Sequence, residues 1–198
     1  MKKLFICLSF ICHASLASEM TGFGANYYDV HTDNSHFILN KETTRKISPD
    51  IVVGDNLFMM AFSSLGELAK SVNTPVNHGQ RAAWICLTKN NINHWFISDN
   101  EAGNDYLTAI AMANDGSHNG CVPYKGNLTI SVKNTPSLSE FYSNLPTYID
   151  KNNIGNYKAI SFCNREKKTG ADKSVPCLKY YVNKGKLTGT LLTLSREN

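Results

Sequence analysis

This sequence lacks an apolar run long enough to cross a membrane. The apolar run near the start extends from Leu4 to Ile11, and no later apolar run approaches the length of a transmembrane helix. A transmembrane helix needs roughly 20 consecutive apolar residues. We therefore expect no membrane span.

Charge of either sign is also in short supply. The chain has 20 Lys and Arg residues against 16 Asp and Glu residues, a net charge of +4. This excess is too small to favour a nucleic-acid partner. Hydrophobic residues make up 42% of the chain, which is typical of a packed globular protein rather than a disordered one.

The usual signatures of catalysis are missing as well. No serine lies in a nucleophile-elbow motif, and no pair of cysteines has the C-x-x-C spacing of a zinc or redox site. We therefore expect a protein without enzymatic activity, catalytic residues, bound metal or cofactor.

The N-terminus has the pattern of a secretory signal peptide over residues 1–17. Lys2 and Lys3 precede the short apolar run, and Ala17 ends a stretch of small residues. The leader carries two lysines and no acid, so its removal lowers the net charge from +4 to 4 − 2 = +2. Cys12 follows Phe-Ile rather than small residues, which does not favour a lipid anchor. We expect the mature chain in the periplasm or secreted.

Cysteine usage agrees with export. Cys7 and Cys12 lie in the leader, and the mature chain keeps four cysteines. They are Cys86, Cys121, Cys163 and Cys177. An even number in an oxidising compartment favours two disulfides, with three possible pairings.

Two stretches of the chain resemble each other in order and spacing, which indicates a diverged internal duplication. The segments SLGELAKSVNTPV from residue 64 and SLSEFYSNLPTYI from residue 137 each predict a short helix with a serine N-cap and an early glutamate. Each is followed by three predicted strands, at 82–86, 94–98 and from 107 in the first copy, and at 159–163, 178–182 and from 187 in the second.

The expected fold is therefore α+β. Two tandem helix-plus-three-strand units, 51–126 and 127–198, form one antiparallel sheet with both helices on one face. Residues 18–50 add an N-terminal hairpin around a turn at 32–35. Because each cysteine pair then closes within one copy, we favour Cys86 with Cys121 and Cys163 with Cys177.

Such a sheet leaves its other face partly bare. Aromatic side chains on that face would offer a surface to a partner. The candidates are Trp84, Trp95, Tyr180 and Tyr181. Half of these rings could instead belong to the core, which alternation alone does not decide.

The tandem units, together with Val53-Gly54-Asp55 before the first helix and Pro75 after it, resemble the β-lactamase-inhibitor-protein architecture and the related outer-membrane assembly lipoproteins. The resemblance covers residues 51–198. It implies protein binding, often with inhibition, rather than catalysis.

One loop is present in the first copy and nearly absent from the second. It runs from Ser98 to Tyr106 and holds Asp99, Glu101 and Asp105. As a projecting acidic hairpin it could enter a cationic cleft of a partner. The same three carboxylates could bind calcium, although the EF-hand order is absent, or the loop could be an ordinary solvated turn.

A pair of histidines and a basic stretch give weaker indications of function. His31 and His36 flank the predicted N-terminal turn and could hold a metal, but we prefer the interpretation of two surface histidines on a polar hairpin. The basic stretch 165–173 could contact an acidic partner or could serve solubility.

These observations predict an exported protein-binding module, an inhibitor or immunity protein that neutralises an enzyme or toxin in the bacterial envelope. Its predicted partner-binding residues are Asp99, Glu101, Asp105, Tyr106, Trp95 and Tyr181. The alternative is an envelope assembly or adhesion module without an inhibitory role.

Overall fold

The computed structural model describes residues 19–31, 38–43, 47–100, 105–114, 120–132, 158–164, 174–183 and 186–196. Within these residues the chain forms a 3₁₀ helix at Gly22–His31, one α-helix, α1, at Leu65–Val72, and twelve strands. The strands are β1 (Ile38–Thr43), β2 (Pro49–Val53), β3 (Asn56–Phe58), β4 (Asn77–His78), β5 (Ala82–Lys89), β6 (Ile92–Asp99), β7 (Ala109–Ala113), β8 (Val122–Pro123), β9 (Leu128–Val132), β10 (Ala159–Asn164), β11 (Ser174–Asn183) and β12 (Lys186–Arg196).

Most strands belong to one large sheet with the order β1-β10-β11-β12-β7-β6-β5-β4, and β8 pairs with β5 outside this path. The pairings are antiparallel except for β1 with β10 and β5 with β8. At the centre, β12 runs antiparallel to β7 and places Leu191 opposite Ala111. Two three-stranded meanders, β5-β6-β7 and β10-β11-β12, are thereby joined into one surface.

A second sheet contains three strands in the order β3-β2-β9. Strands β2 and β3 form a hairpin whose two turn residues are Gly54 and Asp55, with Val53 opposite Asn56. Gly54 has a φ of 63°, and a positive φ at the first turn residue is the requirement of a type II′ turn. The turn therefore depends on glycine at this position.

The hairpin between β5 and β6 uses the other turn common in two-residue hairpins. Lys89 pairs with Ile92, so the turn residues are Asn90 and Asn91, whose φ angles are 52° and 61°. Two positive φ angles define a type I′ turn, and asparagine tolerates this conformation well.

Helix α1 has strong signals at both ends. The N-cap Ser64 accepts a hydrogen bond from the Glu67 amide, and the Glu67 carboxylate accepts one from the Ser64 amide, which completes a capping box. Asn73 ends the helix in the left-handed conformation. Leu65 and Leu68 are buried and anchor the helix in the core.

The large sheet is covered on both faces. On one face, Ile85, Phe96 and Tyr180 pack in a core with residues of α1 and of the small sheet, such as Ile51 and Ile130. On the other face, a second apolar cluster joins the sheet to the 3₁₀ helix. Its members from the sheet include Trp84, Trp95, Ala111 and Leu191, and those from the N-terminal segment are Met20, Tyr27 and Tyr28.

The predicted disulfide pairing is confirmed. Cys86 on β5 is bonded to Cys121, 35 residues away. Cys163 and Cys177 are bonded across the β10–β11 pair, where they lie directly opposite each other. Both bonds thus connect neighbouring parts of the large sheet.

The predicted fold class is wrong. The described chain is predominantly β, and it does not consist of two helix-plus-three-strand units. The predicted strands lie where β5, β6, β10 and β11 are found, and α1 follows the predicted N-cap. However, β2, which spans the predicted start of the first unit, pairs with β3 on one side and with β9 from the predicted second unit on the other, in a separate sheet. The second predicted helix lies outside the described residues.

The predicted N-terminal hairpin is also wrong. Residues 22–31 form a 3₁₀ helix, and β1 pairs in parallel with β10 rather than with the preceding segment. The physical reason is tertiary: Tyr27 and Tyr28 of this segment are buried against the large sheet, whereas a two-stranded hairpin on its own is only marginally stable. The predicted signal peptide (residues 1–17) and the predicted turn at 32–35 lie outside the described residues.

Candidate interaction surface

The sheet face that the sequence predicted to be bare is covered. Trp95 is completely buried and Trp84 nearly so, because the 3₁₀ helix lies over them. Three residues per turn place Gly24 and Tyr27 on the same buried side of this helix. Trp95 is therefore a core residue and offers no surface to a partner.

Tyr181 belongs to the same covering contact. It is half-buried and meets the ring of Phe23 edge-on, with a centroid distance of 5.1 Å. The Phe23 ring occupies the space above Gly189, where an added Cβ would lie 2.4 Å from its Cζ. Tyr181 thus holds the 3₁₀ helix rather than standing free on an open face.

Arg81, directly before β5, contacts the aromatic ring of Tyr28 in the 3₁₀ helix. Its guanidinium carbon lies 3.9 Å from the ring centroid of Tyr28. A cation over an aromatic face is attracted by the ring quadrupole. Burial of Tyr28 also raises the pKa of its phenol above 10.0, so the ring stays neutral.

Asp99, the first acid of the predicted binding loop, holds the scaffold together. Its Oδ2 accepts a hydrogen bond of 2.9 Å from the Tyr27 hydroxyl of the 3₁₀ helix. Its amide donates to Thr108 Oγ1 at 3.0 Å. Asp99 therefore connects β6 to the 3₁₀ helix and to the residue directly before β7. Glu101 lies outside the described residues.

Asp105, the last acid of the loop, supports the N-terminus of α1. Its Oδ2 accepts a hydrogen bond of 3.2 Å from the Gly66 amide, and its carbonyl accepts one of 2.9 Å from the Leu65 amide. A carboxylate is stabilising at a helix N-terminus because it satisfies free amides and complements the helix dipole. Asp105 and Ser64 together accept hydrogen bonds from the free backbone amides at this end of the helix.

Asp99 and Asp105 hydrogen-bond to different parts of the protein, so they do not form one binding site together. Among the described residues, no group of three or more His, Cys, Asp or Glu side chains is arranged to hold a metal ion. His36 lies outside the described residues, and only the backbone of His31 is described.

His94 is a buried polar residue in the large core. Burial lowers the pKa of its imidazole from 6.5 to about 4, and its Nδ1 has no hydrogen-bond partner. It lies on the same face of β6 as the core residue Phe96. His94 is therefore a neutral core residue at physiological pH.

A surface that the sequence analysis missed lies beside Tyr106. Four large apolar side chains on neighbouring segments are exposed, and we call them the apolar patch. They are Leu57 (64% exposed), Met59 (54%), Phe62 (73%) and Tyr106 (39%). Leu57 points outwards because its neighbour Phe58 points into the core.

The patch is presented by a tightly hydrogen-bonded turn. The Met59 carbonyl accepts from the Ser63 amide at 2.9 Å, and the Met59 amide donates to Ser63 Oγ at 3.0 Å. The Ala61 amide donates to the Leu107 carbonyl at 2.8 Å, and the Leu107 amide donates to the Ser63 carbonyl at 2.9 Å. The turn is thus fastened to the segment that carries Tyr106.

Ala61, between Met59 and Phe62, has a φ of 65°. The other non-glycine residues with positive φ in the described chain are asparagines and an aspartate, which adopt this conformation more easily than alanine. A strained residue at the centre of an exposed apolar turn is a feature seen at functional sites.

The sequence carried one signal for this surface. The run Leu57-Phe58-Met59-Met60-Ala61-Phe62 is wholly apolar, and it stands between a two-residue hairpin turn and a helix N-cap. In the folded protein Phe58 and Met60 are buried, whereas the large side chains of the patch in this run are exposed.

The chain matches no protein-family model, no curated protein sequence and no solved structure. Within the residues described above, no helix is long and apolar enough to span a membrane.

Proposed function

We propose that this chain is an exported protein-binding module that neutralises a partner enzyme or toxin in the bacterial envelope. The observation that carries the proposal is the apolar patch, with Phe62 at its most exposed point. The predicted acidic loop contributes Tyr106 to this surface, while the carboxylates of Asp99 and Asp105 accept hydrogen bonds within the scaffold.

The exposure of the patch supports binding to another protein. Single exposed apolar residues are common on soluble proteins, but a group of large ones on adjoining segments marks an interaction surface. Aromatic and methionine side chains are enriched at interfaces. Phe62, Tyr106 and Met59 are of these types.

The rigidity of the patch supports tight binding. Its turn is fastened by backbone hydrogen bonds on both sides, and α1 directly after it is doubly capped. A surface that is already ordered loses less conformational entropy when a partner binds. Export is supported by the two disulfides.

The test is affinity capture from envelope extract and culture medium with three oxidised mature proteins. They are the unchanged chain, the Phe62→Asp variant, and the Val122→Asp variant. Val122 is 45% exposed and lies outside the patch, so it controls for a new surface charge. The retained protein is then purified and its activity is measured with and without the chain.

The proposal requires a stoichiometric partner that Phe62→Asp fails to retain, that Val122→Asp retains, and whose activity the chain inhibits. A central aromatic anchor is expected to contribute at least about 2 kcal/mol, or about thirtyfold in affinity. Patch-dependent capture of outer-membrane components without inhibition would instead favour the assembly alternative. Equal retention by all three proteins would show that the patch is not the binding surface.

A further inference from the structure

The apolar patch lies within the most acidic part of the chain. Residues 47–69 and 98–114 contain six of the 16 acidic residues and no lysine, arginine or histidine. The whole chain nevertheless carries a net charge of +4. Among the described residues, four of these acids, Asp50, Asp55, Glu67 and Asp105, lie on or directly next to the segments that carry the patch.

Two of these acids lie on the β2–β3 hairpin that carries Leu57. Asp55 is exposed in the hairpin turn two residues before Leu57. Asp50 is exposed on β2 and shares its outward face with Val52, which pairs with Leu57. These two carboxylates form an acidic border along the β2–β3 side of the patch.

On the other side of the patch, the acids meet the N-terminus of α1. The carboxylates of Glu67 and Asp105 accept hydrogen bonds from backbone amides there. These contacts offset the positive end of the helix dipole. Lys70 appears only in the last turn of α1, so the helix brings no positive charge close to Phe62.

From this arrangement we infer that the partner surface received by the apolar patch is cationic, with basic residues flanking an apolar centre. This inference rests on the proposed function and adds the chemistry of the partner. Acidic borders raise the association rate of a basic partner and suppress acidic ones.

The same charges disfavour the two other occupants of an exposed apolar surface. A second copy bound through the same patch would place its own acids against Asp50 and Asp55, because a two-fold interface is self-complementary. An anionic membrane surface would be repelled for the same reason. A basic protein partner satisfies both the apolar side chains and the acidic border.

The experiment measures binding of two synthetic peptides of equal length to the mature, oxidised chain. One alternates leucine with lysine and the other alternates leucine with glutamate. The lysine peptide is expected to bind at least about tenfold more tightly at low ionic strength, and salt should weaken it. Backbone amide shifts should change at Leu57, Met59, Phe62 and Tyr106.

Three variants locate the contributions. The double variant Asp50→Lys with Asp55→Lys should weaken binding of the lysine peptide roughly tenfold and strengthen binding of the glutamate peptide. Phe62→Ser should weaken binding of the lysine peptide by at least about tenfold. Val122→Ser, outside the patch, should change neither affinity.

The possible failures are distinguishable. If both peptides bind equally and both depend on Phe62, the patch is a binding surface but its charge preference is wrong, and the proposed function stands. If the lysine peptide binds without dependence on Phe62, or does not bind, both the preference and the patch are wrong. Patch-dependent dimers in sedimentation, or patch-dependent binding to phosphatidylglycerol vesicles, would also overturn the cationic partner.

Discussion

The backbone of Gly24 lies directly against the indole ring of Trp95. A Cβ built on Gly24 would come within 2.5 Å of Trp95 Cδ1, closer than atoms can pack without a shift. The ring is completely buried in the second apolar cluster. The seating of the 3₁₀ helix on the sheet therefore depends on the absence of a side chain at this position.

Gly24→Ala is expected to destabilise the protein. Overpacking of a filled site costs about 1–3 kcal/mol, and a protein of this size loses about 2–4 °C in Tm per kcal/mol. Thermal unfolding followed by near-ultraviolet circular dichroism measures the change and reports on Trp95 at the same time.

The matched control is Gly66→Ala in the first turn of α1. A Cβ there lies 3.8 Å from its nearest neighbours, which is an ordinary contact, and alanine favours the helix by up to about 1 kcal/mol. This variant should be neutral or slightly more stable. Equal Tm values for the two variants would contradict the close packing of Gly24.

Tyr27→Phe is expected to reduce stability through loss of the hydrogen bond to Asp99. The bond connects residues 72 positions apart and its acceptor is a carboxylate, so its net contribution is about 1.5–3 kcal/mol. Chemical denaturation of Tyr27→Phe, Asp99→Ala and the double variant forms a double-mutant cycle. Strictly additive effects would show that the two side chains do not interact in solution.

The sequence allowed prediction of the elements whose signals are local. The Ser64 and Glu67 capping box marked the start of α1, and short apolar segments ending on cysteine marked β5 and β10. Pairing the cysteines within each predicted copy gave the correct disulfides, even though the duplicated helix-plus-strand unit behind that choice was wrong. Cys163 and Cys177 face each other on neighbouring strands of one meander, and Cys121 directly precedes β8, which pairs with β5.

The remaining features depend on contacts between distant segments. The pairing of β2 with β9 joins Ile51 to Ile130, and no local pattern predicts it. The cover over Trp95 depends on the absence of side chains at Gly24 and Gly189, which has meaning only when the two surfaces meet. For the same reason the sequence predicted a bare aromatic face where the protein has a second core.

Ala61→Gly is expected to stabilise the protein. Alanine at a φ of 65° costs about 1–2 kcal/mol, which glycine avoids. Glycine also gains freedom in the unfolded chain, which offsets about 0.4–1 kcal/mol of this, so the net gain should be about 0.5–1 kcal/mol. Ala69→Gly, inside α1, is the control and should lose about 1 kcal/mol. Loss of stability in both variants would contradict the strained conformation at Ala61.

His94 makes the stability of this protein depend on pH. Burial lowers the pKa of its imidazole to about 4 in the folded protein, whereas the unfolded chain has the ordinary value near 6.5. Between these two values the unfolded state binds more protons, so stability falls as the pH is lowered from neutral towards about 4. At about pH 5 the expected loss relative to pH 7 is about 2 kcal/mol.

Denaturant titrations of the unchanged chain and of His94→Gln at both pH values measure this dependence. Glutamine keeps a polar side chain of similar reach but does not titrate, so the variant should be less stable at neutral pH and should lose less on acidification. His78→Gln, at an exposed position, is measured alongside as the control for the same replacement outside the core. If His94→Gln keeps the full acid sensitivity of the unchanged chain, proton uptake by this imidazole is not its cause.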